Sequence, residues 1–171
     1  MWYRLPLFCP DKYPNRILLF ITKMAQYHQG KYTVVNKQKY VGDVTNVVYR
    51  SSWELKLMIW LDNNENVINW GSEEIVIPYI SPIDDRQHRY YPDFAMVYKN
   101  RDGKIKKALI EVKPEYQTLP PIQKARKTKR FIQESLEYAK NNAKWAYAKR
   151  WCSEKGIDFV ILTEKHLGIK K

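Results

Sequence analysis

Residues 92–114 read PDFAMVYKNRDGKIKKALIEVKP, and the fold turns on how this stretch is read. Two apolar runs, Phe94 to Val97 and Ala108 to Ile110, flank a polar turn from Lys99 to Lys104 that contains Asp102-Gly103. Short apolar runs bounded by turn residues predict two β-strands joined as a hairpin. Each run carries an acid at one end: Asp93 follows Pro92 at the start of the first, and Glu111 closes the second. Side chains alternate across a strand, so Glu111 and Lys113 share one face while Val112 points to the other. Hairpin pairing brings Asp93 beside that face. Two carboxylates and a lysine at the end of a buried sheet predict a divalent-metal site with a basic neighbour.

Working outward, the segment from Arg50 to Asp62 predicts a helix, with Ser51 and Glu54 at capping-box spacing. Short strands are expected at Val67 to Trp70 and Ile75 to Tyr79, then a turn-rich stretch from Ser81 to Arg86. Beyond the hairpin, Pro114 ends the second strand and Pro120-Pro121 marks a break. A long helix follows, whose apolar face is read at Ile132, Leu136, Ala139, Ala143 and Ala146. Lys155-Gly156 stops it, Ile157 to Leu162 predicts a last strand, and Thr163-Glu164 a short final helix. The order αβββαβ specifies an α/β fold.

A chain of 171 residues with 44% hydrophobic and 14% aromatic content suffices for one packed domain. Thirty Lys and Arg against eighteen acids leave a net charge of +12, which points to a polyanionic partner or, more plainly, to a basic soluble surface. Cys9 and Cys152 stand alone, without zinc-ligand spacing or a disulfide framework. No apolar run approaches the roughly 20 residues of a membrane helix, and a reducing cytoplasm is expected. Residues 1–23, with Pro6, Pro10 and Pro14 at four-residue intervals, read as an extension of doubtful origin. The functional chain is expected to start at Met24, which the intact mass of the native protein would test. Residues 24–48 read as a basic N-terminal arm and 49–171 as the main domain.

Glu54 adds a third carboxylate. On its helix it shares a face with Leu57, Met58 and Leu61, a face expected to pack on the sheet. A carboxylate there must be paired or metal-bound; the plainer reading is a capping glutamate or an ion pair with Arg50. Glu73 and Glu74 are rival acids, expected at a solvent-facing strand edge, and His88 is either a phosphate contact or a polar strand start. Mg²⁺ takes oxygen ligands and keeps several waters. Asp93, Glu111, the Val112 backbone carbonyl and Glu54 form the expected ligand set, with Mn²⁺ as a substitute ion. Lys113, unless it is a surface lysine at a strand end, orients or deprotonates an attacking water or offsets charge on a phosphorane.

Pro92-Asp93, Glu111-Val112-Lys113 and the helical Glu54 together resemble the PD-(D/E)xK nuclease superfamily. The resemblance implies a restriction-endonuclease-like core, a mixed central sheet flanked by helices, and metal-dependent DNA cleavage, with Glu54, Asp93, Glu111 and Lys113 catalytic. The blocks 49–56, 70–79, 89–94, 109–114 and 143–145 are similar to the tailed-phage head completion nucleases, a likeness covering about Lys31 to Ile169. It implies a late virion-assembly role in head-tail joining, double-stranded DNA and phage head or neck proteins as partners, and a place in the bacterial host cytoplasm or the virion. The same core is similar to the nuclease subunit of a cut-and-paste transposition system. A non-catalytic head or neck protein retaining the fold is the other reading. DNA is expected along Lys124, Arg126, Lys127, Lys129 and Arg130, which crowd a helix N-terminus where cations oppose the macrodipole; a solvated charged face is the plainer account. Tyr116 and Gln117 lie near the entrance by sequence proximity, and no base-reading module is apparent.

Overall fold

The hairpin at 92–114 forms as expected. In the computed structural model, β6 (Phe94–Lys99) and β7 (Ile105–Val112) pair antiparallel from Phe94↔Ile110 to Lys99↔Ile105. Asn100 closes the turn by accepting the Asp102 and Lys104 amides on its side-chain oxygen. Gly103 takes a positive φ of 76°, open to glycine at no steric cost. The structure describes residues 29–169 apart from 124, 125 and 127. The expected extension, the Met24 start, Cys9, Lys124 and Lys127 lie outside the described residues.

β3 (Val67–Ser72) pairs antiparallel with β6 on one side of the hairpin, and β8 (Asp158–Leu162) lies parallel to β7 on the other. The sheet order β3-β6-β7-β8 is therefore mixed. Helix α1 (Ser52–Asn63) precedes it and α3 (Lys129–Glu154) links β7 to β8, so the αβββαβ order holds.

Strand alternation divides the interior between the two helices. Ala108, Ile110 and Val112 of β7 join Phe94, Met96, Val67 and Trp70 against Leu57, Met58 and Leu61 of α1. The odd-numbered Leu109 instead joins Trp145, Ala148 and Cys152 of α3. Glu111 is in phase with Leu109 and so projects toward α3.

Several expectations are corrected. β4 (Ile77–Ile80) does not enter the central sheet; it pairs with β5 (Gln87–Tyr90), a strand too polar to announce itself, in a separate two-stranded sheet against α3. The buried stripe of α3 is Asn141, Trp145, Ala148 and Cys152, roughly opposite the expected face at 100° per residue. Ile132 and Leu136 are exposed. Two stripes of helical period coexist in this segment, and contact with β4 and β8 selects the one carrying Trp145. Residues 164–168 form turns, with Leu167 N donating to Thr163 O, rather than a helix. A four-residue helix, α2 (Glu115–Thr118), follows Pro114.

The described part of the arm runs back over α1. It contributes β1 (Gly30–Lys31), paired with β2 (Val48–Tyr49), and a 3₁₀ turn at Lys37–Lys39. Asp62, fully buried, accepts hydrogen bonds from Tyr32 Oη at 2.8 Å, Val35 N at 2.7 Å and Asn36 N at 3.0 Å. Farther along, Val41 N donates to Trp70 O at 2.8 Å, and Tyr40 bridges to Trp70 beside the outer edge of β3. Gly71 permits that approach, since a Cβ there would lie 2.7 Å from Val41 O. Among the described residues no helix is long and apolar enough to cross a membrane.

Candidate active site

The last hairpin pair, Phe94↔Ile110, sets the site. One residue beyond it, Asp93 precedes β6 in a bend and Glu111 lies at the end of β7. Asp93 therefore leads into its strand, where a position on the strand was expected. The Asp93 carboxylate reaches across and accepts the Val112 N–H on Oδ2 at 2.7 Å. Its backbone is held as well, with Glu73 N donating to Asp93 O at 3.2 Å.

Glu111 is 3% exposed, so its charge depends on partners. Tyr90 Oη donates to Oε2 at 2.7 Å, and Lys113 Nζ stands 3.2 Å from Oε1. Glu111 and Lys113 thus share a face, as strand alternation predicts. Burial, then the charge of Glu111, push the Asp93 carboxyl up to about 8, with Glu54 adding to the rise. Lys113 and the Val112 N–H pull the other way without cancelling it. At Lys113 burial disfavours the charge, yet Glu111 and Asp93 outweigh it and hold the ammonium above the ordinary lysine range. Tyr90 is raised still further, first by burial and then by Glu111, so its hydroxyl remains a donor. A carboxyl whose ionisation burial and the neighbouring Glu111 charge oppose suits a cation beside it.

Glu54 stands at the first turn of α1, half-buried, and its backbone N–H is received by the N-cap Ser51 Oγ at 3.1 Å. Both carboxylate oxygens are engaged: Ser51 Oγ donates to one at 2.9 Å and Arg50 N to the other at 2.8 Å. Capping therefore occupies Glu54, while its charge still acts on Asp93 and Lys113. Among the described residues no three His, Cys, Asp or Glu side chains gather as a metal-binding group. The carboxylate centre is the pair Asp93 and Glu111, which fits an ion such as Mg²⁺ that takes one or two carboxylates and keeps waters.

Tyr90 and Lys144 had no role assigned from the sequence, and Arg50 was expected only as an ion-pair partner of Glu54. Tyr90 was hidden by its polar strand, although its place two residues before Pro92-Asp93 was a signal. Arg50 offers its backbone to Glu54 and pairs its guanidinium with Glu73, which adopts a left-handed backbone, φ 56°. Glu73 thus flanks the site instead of facing away from it. Lys144, on α3, sets its Nζ 5.6 Å from the Tyr90 ring centroid. Burial lowers its pKa, with Glu111 opposing.

The other expected residues lie elsewhere. His88 contacts Asp84 at 2.9 Å on the β4–β5 hairpin. They line a cleft of about 330 Å³ against α3 with Tyr79, Leu136 and Lys140. Arg126, Lys129 and Arg130 are exposed, and Arg130 pairs with Glu134 at 2.8 Å. Thr128 caps α3 by accepting from Phe131 N. Glu115, ahead of the exposed Tyr116, donates its backbone N–H to the buried Glu164.

Comparison with known proteins places these residues in company. Residues 64–164 match the family model described as TnsA-like endonuclease N terminal, a span holding Asp93, Glu111, Lys113 and Lys144 and beginning after Glu54. The head completion nuclease of Enterobacteria phage T4 is 38% identical over 144 residues, covering 82% of this chain and 93% of that protein.

Proposed function

Because the chain belongs to the TnsA-like endonuclease family, we propose that it is a metal-dependent DNA nuclease acting in phage head completion and head-tail joining. The observation that carries this reading is the convergence of Asp93, Glu111 and Lys113 at one end of the central sheet. The kinship with the T4 protein supplies the biological setting. Residues 49–171 are the nuclease domain in this reading and 24–48 its basic arm.

Asp93 and Glu111 would hold the ion, with the Val112 carbonyl beside them and Glu54 adding negative charge. Bound Mg²⁺ or Mn²⁺ supplies Lewis acidity that makes water a better nucleophile and offsets charge on phosphoryl oxygens. The protein's own groups prepare the rest. The Val112 N–H fixes the Asp93 carboxylate, and the Tyr90 hydroxyl fixes Glu111, so both acids are preorganised. Lys113 is held as a cation by its neighbours. That suits it to orient the attacking water and to offset charge growing at phosphorus, more than to remove a proton. Glu54 does double duty, capping α1 while its field reaches Asp93. Double-stranded DNA is the proposed substrate, laid against Arg126, Lys129 and Arg130, with Lys124 and Lys127 in the same basic run. Head or neck proteins in the host cell or virion are the proposed assembly partners.

Supercoiled plasmid incubated with the protein and Mg²⁺, with EDTA and Asp93→Ala as controls, tests the reading. Cleavage abolished in both controls is expected. Cleavage surviving in either one removes the site from the chemistry. Tight DNA binding with no cleavage under Mg²⁺ or Mn²⁺ would instead mark a non-catalytic head or neck protein.

A further inference from the structure

We propose that Lys144 is a substrate-binding residue of this site, gripping a backbone phosphate of DNA beside the phosphodiester that is cut. The proposal rests on the nuclease reading for its substrate, but its geometry is independent of the metal. Lys144 arrives from α3, an element distant in sequence from both halves of the hairpin motif. The residue after it, Trp145, is buried against the sheet, which fixes where the lysine emerges. Its ammonium lies 5.6 Å from the centroid of the Tyr90 ring. The hydroxyl of that same ring is 2.7 Å from Glu111. One phenol therefore joins Lys144 to the carboxylate that Lys113 also contacts.

The ammonium is partly withdrawn from water, yet among the described residues no carboxylate lies within ion-pair distance of it. Three other cations on α3 have such partners, Arg130 with Glu134, Lys140 with Glu137 and Arg150 with Glu154, while Lys129 and Lys149 stand exposed to water. Desolvating a lysine without an acid is unfavourable, and contact with an aromatic face offsets only part of that. Lys140 lies four residues earlier on the same helix flank, and like charges at that spacing repel. An anion bound at Lys144 relieves both effects. A phosphate is the anion this site would meet, since charge-assisted contacts from lysine hold phosphate oxygens as point-charge bonds. The residue thereby places substrate on the α3 side of the carboxylate pair.

The test separates binding from cutting. Fluorescence anisotropy with a labelled DNA duplex in EDTA, over a range of KCl concentrations, compares wild type with Lys144→Met, Lys144→Arg and Lys149→Met. Methionine keeps an unbranched stem against Tyr90 and removes the charge. Loss of one phosphate contact is expected to flatten the plot of log affinity against log salt by roughly 0.9. Lys144→Arg is expected to keep the wild-type slope, as is Lys149→Met, an exposed lysine farther along α3. In Mg²⁺, Lys144→Met is expected to raise KM for DNA more than it lowers kcat. A Lys144→Met protein with the wild-type salt slope and wild-type KM overturns the proposal. Should that variant melt early, a flattened slope in Lys144→Arg would overturn it too, because arginine preserves the charge. A wild-type protein that never cuts DNA defeats the nuclease reading alone, and the slope comparison still decides the role of Lys144.

Discussion

Replacing Asp93 by Asn should stabilise the metal-free protein while abolishing its activity. The folded protein holds the Asp93 proton up to about 8, through burial and the neighbouring Glu111 charge. An unfolded aspartate titrates near 3.9. Between those values the native state binds more protons than the unfolded state, so stability falls as pH rises. The contribution is fully present below about pH 4 and is lost by about pH 8. The steepest slope a single group can give is about 1.4 kcal/mol per pH unit, or about 4 kcal/mol from pH 5 to pH 8. Asp93 retains some contact with water, and roughly half that figure, about 2 kcal/mol, is the sounder expectation. Asparagine removes the titration yet keeps an oxygen for the Val112 N–H. Thermal melts in EDTA should therefore show wild type declining across this range and Asp93→Asn staying flat. The gap at pH 8 should be roughly 4–8 °C for a chain of this size. Added Mg²⁺ should raise the wild-type midpoint, by binding the folded state, and leave the variant where it was. A flat wild-type profile, or an Asp93→Asn protein less stable than wild type at pH 8, would refute the crowded-carboxyl account.

Further variants separate roles that the geometry leaves combined. Glu54→Gln keeps oxygen and shape for the cap but removes charge; it should melt within about 0.5 kcal/mol of wild type and lose most cleavage if the charge serves catalysis. Glu54→Ala should cost about 1 kcal/mol in addition, through the lost cap; equal activity of wild type and Glu54→Gln would reduce Glu54 to a capping residue. Tyr90→Phe strips a donor from buried Glu111 and should weaken metal affinity roughly 10–100-fold, read by titration calorimetry. An unchanged affinity would show that Lys113 alone orients Glu111. Asp62→Ala leaves the Val35 and Asn36 amides without their acceptor and should destabilise the fold by about 2–4 kcal/mol. Hydrogen exchange should then speed up first at residues 32–36, whereas uniform loss of protection would argue against a localised clamp.

Local signals in the sequence fared best. The Ser51–Glu54 cap, the 99–104 turn and the alternation placing Glu111 with Lys113 each depend on neighbours within a few residues, and each is found. What pairs at a distance was harder to read. Gln87 to Arg89 carry no apolar pattern, so the strand that delivers Tyr90 shows only through its partner, β4. In α3 the Ile132–Ala146 stripe and the Asn141–Cys152 stripe are both helical in period. The surface available on β4 and β8 chose between them, and periodicity carries no record of that surface. Lys144 was obscured for the same reason, since its significance depends on which side of α3 packs down. Glu54 was legible both as cap and as third acid, and the structure shows the cap in full alongside an electrostatic reach to Asp93.

The arm held by Asp62 also governs how the sheet ends. β3 is one of the two outer strands of the central sheet, and an outer strand offers unpaired N–H and C=O groups to any passing chain. Tyr40 and Val41 take that place from within the same molecule, at Trp70. Detaching the arm would leave the carboxylate pair intact and uncover this border. Copies of the protein would then be free to join strand to strand, so aggregation, rather than lost chemistry, would be the first sign of a failed clamp.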